Sequence, residues 1–200
     1  MAANSIYKFS IPEGALTRKS ILTSENRRLI RAMKKAGREL VERRIALGDG
    51  GDLSARTGNG FLITAAGADL SDLSDEDFVL VESFDSGSNS LTKAFGLKPP
   101  CLSTPMHSLI YSRRPDVSAI IRAEDAALSK QGVAERLKLP ATQPGLGAGS
   151  REAAEAAASL AEKSDAAILP GSCAIILNRT VEGCAEKADI LHRRGASAKV

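Results

Sequence analysis

The chain reads as a single α/β domain: a central mixed β-sheet flanked by helices. Three observations predict this. Apolar residues recur with a period of about 3.6 in some segments and two in others, the signatures of helix and strand. The resulting order is helix, three strands, helix, strand, two helices, a strand pair and helix, as a sheet between helical layers produces. The 200 residues, 43% hydrophobic and 26% charged, suffice for one sizeable core and not comfortably for two.

Residues 1–22 have no period and read as an N-terminal arm; residues 23–200 make up the domain. From Glu25 to Leu47 the positions Leu29, Ile30, Met33, Ala36, Gly37, Leu40, Val41 and Ile45 keep helical spacing. Thr23 or Ser24 can cap its start and Gly48 its end. Asp52 to Arg56 and Gly60 to Thr64 read as strands joined through Asn59-Gly60, which supplies the positive φ of a tight hairpin. Ser74, three residues before Asp77, predicts a capped helical turn, and Phe78 to Glu82 another strand. Ser83 to Pro99 is rich in Ser and Gly and reads as a mobile loop.

A helix is expected over Thr104–Arg113 with Ser103 as its N-cap, then a buried strand over Val117–Arg122 and a helix over Ala126–Leu137. Thr142–Gly149 is a glycine-rich loop, after which Ser150 caps an alanine-rich helix to Lys163. Ala166–Leu169 and Cys173–Leu177 read as a strand pair, and Thr180 caps a final helix that Gly195 closes.

A formal charge of +3 is too small to imply nucleic-acid or membrane-surface binding, and the basic residues sit beside acids on solvated faces. No apolar run approaches the roughly 18 residues of a membrane span, and residues 1–22 lack the pattern of a signal peptide. Three widely spaced cysteines, Cys101, Cys173 and Cys184, fit reduced thiols, so a cytoplasmic location is expected.

Six segments stand out in order. They are Gly51–Arg56, then Phe61–Thr64 with Gly67, then Leu70–Asp77 with Val79-Leu80-Val81. After these come Pro99–Asp125 (with Pro100, Met106, His107, Ile110, Tyr111, Arg114, Pro115, Asp116 and Val117), Asp165–Ile176 and Thr180–Ala185. Together, over residues 26 to 194, they resemble the class II aldolase and adducin head domain family, in particular the fuculose-phosphate aldolases. The resemblance implies that family's fold, a mainly antiparallel mixed sheet between helices in three α/β/α layers. It also implies a zinc ion held by a His-x-His strand end and a later histidine, a glutamate acid/base, and a phosphate pocket.

At the positions that the resemblance makes zinc ligands, this chain has Arg122, Glu124 and Ser172, and its only histidines are His107 and His192. Two imidazoles cannot supply three ligands, so no cofactor is expected. The family acid/base falls at Ser103, whose hydroxyl is far too weak an acid to shuttle protons near neutrality. The phosphate pocket falls at Asp52, Ser54, Gly67 with Ala66 before it, and Cys101-Leu102. An acid where the family has asparagine opposes an anion.

Arg122 and Glu124 read either as a structural salt bridge or as a carboxylate site with Glu124 as acid or base. Ser103 reads as a helix cap or a catalytic remnant. Cys101 and Cys173 read as packed thiols or, with Glu124, a makeshift metal or redox site; Cys184 reads as packing. His107 reads as a structural histidine, His192 as a partner of its helix dipole, and Gly145–Gly149 as a flexible loop.

Two functions follow. In one, the chain has lost zinc-dependent aldolase activity and serves binding or assembly, as the adducin head does within the family. In the other, it is an aldolase-like lyase or isomerase acting on a small sugar phosphate or carboxylate through an altered site. The resemblance further implies a homo-oligomer, commonly a tetramer with the site between subunits.

Overall fold

The first ordered element of the computed structural model, which describes residues 8–143, 146–147, 149–169 and 173–198, is a strand within the segment expected as an arm. This is β1 (Leu16–Arg18). Helix α1 (Ser24–Glu42) follows, with the Thr23 side chain accepting from the Asn26 N–H. The helix stops short of Leu47 and is not closed by Gly48. Arg44 enters the left-handed region (φ 60), and the Ile45 and Ala46 amides turn back to the Leu40 carbonyl. Burying Ile45 and Ala46 in this way outweighs continuing a helix into solvent.

Strands β2 (Gly51–Thr57) and β3 (Gly60–Thr64) pair antiparallel and close at Thr57 opposite Gly60. The loop residues are Gly58 and Asn59. The positive φ falls on Gly60 alone (142), not on an Asn59-Gly60 pair. Ser74 and Asp77 form the expected capping box, leading into β4 (Phe78–Asp85).

The segment expected as a mobile loop is instead the end of β4, a turn, and β5 (Ser90–Gly96). Asp85 Oδ1 accepts from the Gly87 amide, and Asn89 takes a φ of 51 to complete the reversal. β5 is held on both flanks, by β4 and by β1, and buries Leu91 and Ala94 fully. Pairing thus overrides a weak local pattern.

Helix α2 (Thr104–Arg113) leads to β6 (Ala119–Glu124). The helix expected from Ala126 is reduced to α3 (Val133–Leu137), because Asp125 Oδ1 accepts from the Ala127 and Leu128 amides and holds a turn. Helix α4 (Arg151–Ala161), β7 (Ala166–Leu169), β8 (Cys173–Asn178) and α5 (Val181–Ala196) complete the order. Ser150 and Thr180 cap α4 and α5 as expected, through the amides of Ala153 and Gly183. Gly195 lies inside α5 rather than closing it: a Cβ there would sit 3.0 Å from the Ala127 carbonyl oxygen, so glycine permits the close approach of that turn.

The sheet order is β1-β5-β4-β3-β2-β6-β8-β7; only β1 against β5 is parallel. Side chains alternate between two cores. Leu53, Leu62, Ile121 and Ile176 meet α1 and α5 on one face, whereas Ile63, Ile120, Ile175 and Leu177 meet α2 and α4 on the other. The chain is thus a three-layer α/β/α domain with a mixed, mainly antiparallel sheet. Among the described residues, no helix is long and apolar enough to cross a membrane.

Candidate functional site

The central strands β2 and β6 place Asp52 opposite Arg122 in register. Alternation then sends Ile120, Arg122 and Glu124 to the same face, under α2 and α4. Asp52 is 1% exposed, and a carboxylate so deep costs several kcal/mol unless paired. Arg122 Nε donates to Asp52 Oδ2 at 2.5 Å. Burial alone would raise the Asp52 carboxyl, but Arg122 and His107 outweigh it and hold it well below the usual carboxylate range.

His107 reaches Asp52 from α2. Its Nε2 lies 2.8 Å from Asp52 Oδ1, within ion-pair distance but off the hydrogen-bond line, so neither atom has an aligned hydrogen-bond partner. His107 Nδ1 meets Ser54 Oγ at 2.6 Å, and Ser54 Oγ meets the Tyr111 hydroxyl at 2.8 Å. Burial pushes Tyr111 up, so it stays neutral. The acid–imidazole–hydroxyl order resembles that of serine hydrolases. Here, however, Ser54 is buried and Tyr111 occupies the hydroxyl's other side, leaving no approach for a substrate. The chain Arg122–Asp52–His107–Ser54–Tyr111 is a buried support.

Beyond Asp52, Arg122 Nη1 donates to Cys173 Sγ at 3.0 Å and lies 3.7 Å from Glu124 Oε1. The Glu124 side chain is 45% exposed, so that pair contributes little. The structural salt bridge of Arg122 is therefore with Asp52 rather than with Glu124. Burial raises both relevant thiols, Cys101 to about 12, so neither is a ready thiolate for metal or nucleophilic chemistry. Cys184 is buried in α5 and reaches the Ala119 carbonyl. His192 pairs with buried Asp125 at 3.0 Å, away from this centre, a partnership that sequence spacing does not reveal.

Arg122, Glu124 and Cys173 form one side of a cavity of about 250 Å³. Ser103 and Met106 line it from the start of α2, and Ser150 and Ala153 from the start of α4. Leu102, Leu146 and Leu169 make it largely apolar. Ser103 departs from the expected cap: its side chain makes no capping bond, and its hydroxyl sits 3.1 Å from Cys101 Sγ.

The structure thus brings Ser103, Arg122, Glu124 and Cys173 to one cavity, with Asp52, Ser54 and Cys101 buried nearby. Gly67 (φ 70) does not line it; its neighbour Ala66 is tied to the Pro99 carbonyl. Ser172 lies outside the described residues, as do Gly145 and Ala148 of the glycine-rich loop. Of the lining residues, Leu146 and Ala153 fall outside the six segments, and only the tertiary docking of α4 and its preceding loop marks them.

The donor set does not fit the zinc site implied by the resemblance. Arg122 places a fixed cation at a ligand position and is already engaged by Asp52 and Cys173, and Glu124 is a lone carboxylate at the rim.

Residues 31–129 match the model of the class II aldolase and adducin N-terminal domain. No curated protein matches the chain. Among solved structures, the chain is similar to YgbL of Klebsiella pneumoniae, named as a candidate aldolase/epimerase/decarboxylase (20% identity, TM-score 0.71, 84% of this chain and 87% of that one). It is also similar to a sugar-phosphate aldolase of Thermotoga maritima (16% identity, TM-score 0.73, 86% and 94%). A third likeness is to the L-fuculose-1-phosphate aldolase of Thermus thermophilus (22% identity, TM-score 0.64, 85% and 90%). At these identities the likeness establishes fold alone. Taken with the matched domain and the three-layer sheet, it places the chain in the class II aldolase and adducin N-terminal domain family.

Proposed function

We propose that this protein works without zinc and has exchanged sugar-phosphate cleavage for the binding of a small molecule in the cavity beside Arg122. The observation that carries this reading is the engagement of Arg122 by Asp52 and Cys173, which sets a permanent guanidinium charge where the family resemblance asks for a metal ligand. A retro-aldol step also needs a base at the hydroxyl whose carbon becomes the carbonyl and a matched acid at the carbon that keeps the electron pair. The Ser103 hydroxyl does not serve, and the buried thiols are pushed up rather than down. What remains is a preformed, mostly apolar cavity with a charged floor, a form suited to holding a ligand.

The test is direct. Purified protein incubated with L-fuculose 1-phosphate, with and without added zinc, should release no product above a protein-free blank, and elemental analysis should find no stoichiometric metal. Zinc-dependent cleavage, or bound metal lost on Glu124→Ala, would overturn the reading. We further propose a homo-oligomer, on the family resemblance; a monomeric mass by light scattering would refute it. Three buried, unbridged cysteines support a reducing, cytoplasmic setting.

A further inference from the structure

We infer that the cavity beside Arg122 takes a small zwitterion with an apolar body, a ligand of the apolar α-amino acid class, its carboxylate on Arg122 and its ammonium on Glu124. This rests on the reading of the cavity as a binding site and adds the chemistry of the occupant.

The charged groups at the cavity have bonding capacity left to offer. Arg122 uses Nε on Asp52 and Nη1 on Cys173, and among the described residues nothing bonds its Nη2. Arg122 lines the cavity. Ser103, 8% exposed, holds a hydroxyl released from capping, whose one side-chain partner among the described residues is the Cys101 thiol. The starts of α2 and α4 flank the same space, and helix N-termini favour negative charge. A carboxylate placed there gains donors from Nη2 and Ser103. Glu124 lines the same side of the cavity, with Arg122 3.7 Å away as its only ion-pair partner among the described residues. It is an acceptor for a cationic group.

Simpler ligands leave one of these unmet. A phosphate brings two negative charges toward Asp52 and Glu124, which oppose it. A plain carboxylate satisfies Arg122 but confronts Glu124, whereas a plain amine satisfies Glu124 and leaves the guanidinium edge bare. A zwitterion meets both. The walls set the rest: Leu102, Met106, Leu146 and Leu169 favour an apolar side chain. A volume of about 250 Å³, room for about eight waters, limits it to amino-acid size.

Calorimetric titration with L-leucine, isocaproate (the same body without the amine) and isoamylamine (without the carboxylate) tests this on the full chain. Leucine should bind one per chain, and each truncated probe about tenfold or more weakly. Glu124→Gln, at an exposed rim position, should lower leucine affinity by about tenfold while leaving isocaproate unchanged or tighter. Ala153→Phe, which fills the cavity, should abolish binding of all three probes. Isocaproate binding as tightly as leucine, leucine indifferent to Glu124→Gln, or no binding of leucine would each overturn the inference. If a truncated probe binds as tightly as leucine and Ala153→Phe removes it, the cavity still binds ligands and only the zwitterion falls. Zinc-dependent sugar-phosphate cleavage would instead bring down the underlying reading.

Discussion

Arg122→Met should destabilise the fold by about 3–5 kcal/mol, because it strands the Asp52 carboxylate, 1% exposed, without its cationic partner. Adding Asp52→Asn to the same chain should recover most of that loss, since the stranded charge disappears with it. Urea midpoints of the wild type, both single variants and the double variant give the coupling between the two sites. Equal, additive losses would show that the pair is not a unit. The same pair sets an acid limit. The Asp52 carboxyl is depressed in the fold, so its contribution is fully present above the unfolded value of about 4 and is lost as pH falls below it. The double variant should therefore show a shallower acid-side loss of stability than the wild type. The slope should not vanish, because Asp77 and Asp116 are also held low, by Lys98 with Ser74 and by Arg114 respectively.

Gly60→Ala should be the other severe change. Gly60 closes the β2–β3 hairpin at φ 142, a backbone conformation that only glycine adopts readily, and a Cβ built there would lie 2.1 Å from the Val81 carbonyl oxygen. That oxygen belongs to the neighbouring strand β4, so relief requires parting the ladder, not turning a side chain. Backbone strain and the clash together should cost about 3 kcal/mol or more, read as a fall in melting temperature. Gly58→Ala, two residues earlier with open space around its Cβ, is the control and should change stability by less than about 1 kcal/mol. A mild Gly60→Ala would mean that the hairpin closes some other way.

Elements with local signals were legible in the sequence. Thr23, Ser150 and Thr180 cap α1, α4 and α5, and Ser74 with Asp77 makes its box, because a cap is settled within four residues. β5 was not legible: register shifts around Ser83 break the alternation, and Ser90–Gly96 becomes a strand only by lying between two others. The early stop of α1 depends likewise on Ile45 finding a core. For the site, the family resemblance located Asp52, Ser103, Arg122, Glu124 and Cys173. It did not reveal that Asp52 would take Arg122, or that His107 would join Asp52 to Ser54. The first contact depends on β2 pairing with β6 and the second on how α2 settles over β2, separations of more than fifty residues that no periodicity records.

The margins of the sheet have a consequence for behaviour at high concentration. One ends in β1, three residues long, and the other in β7, four residues long and bridged at Ile168 by Ala141. Such brief borders offer few bare amides and carbonyls to a stranger strand. Ribbon-like stacking of one molecule on the next is thereby discouraged, and copies that meet must do so through helices and connecting segments.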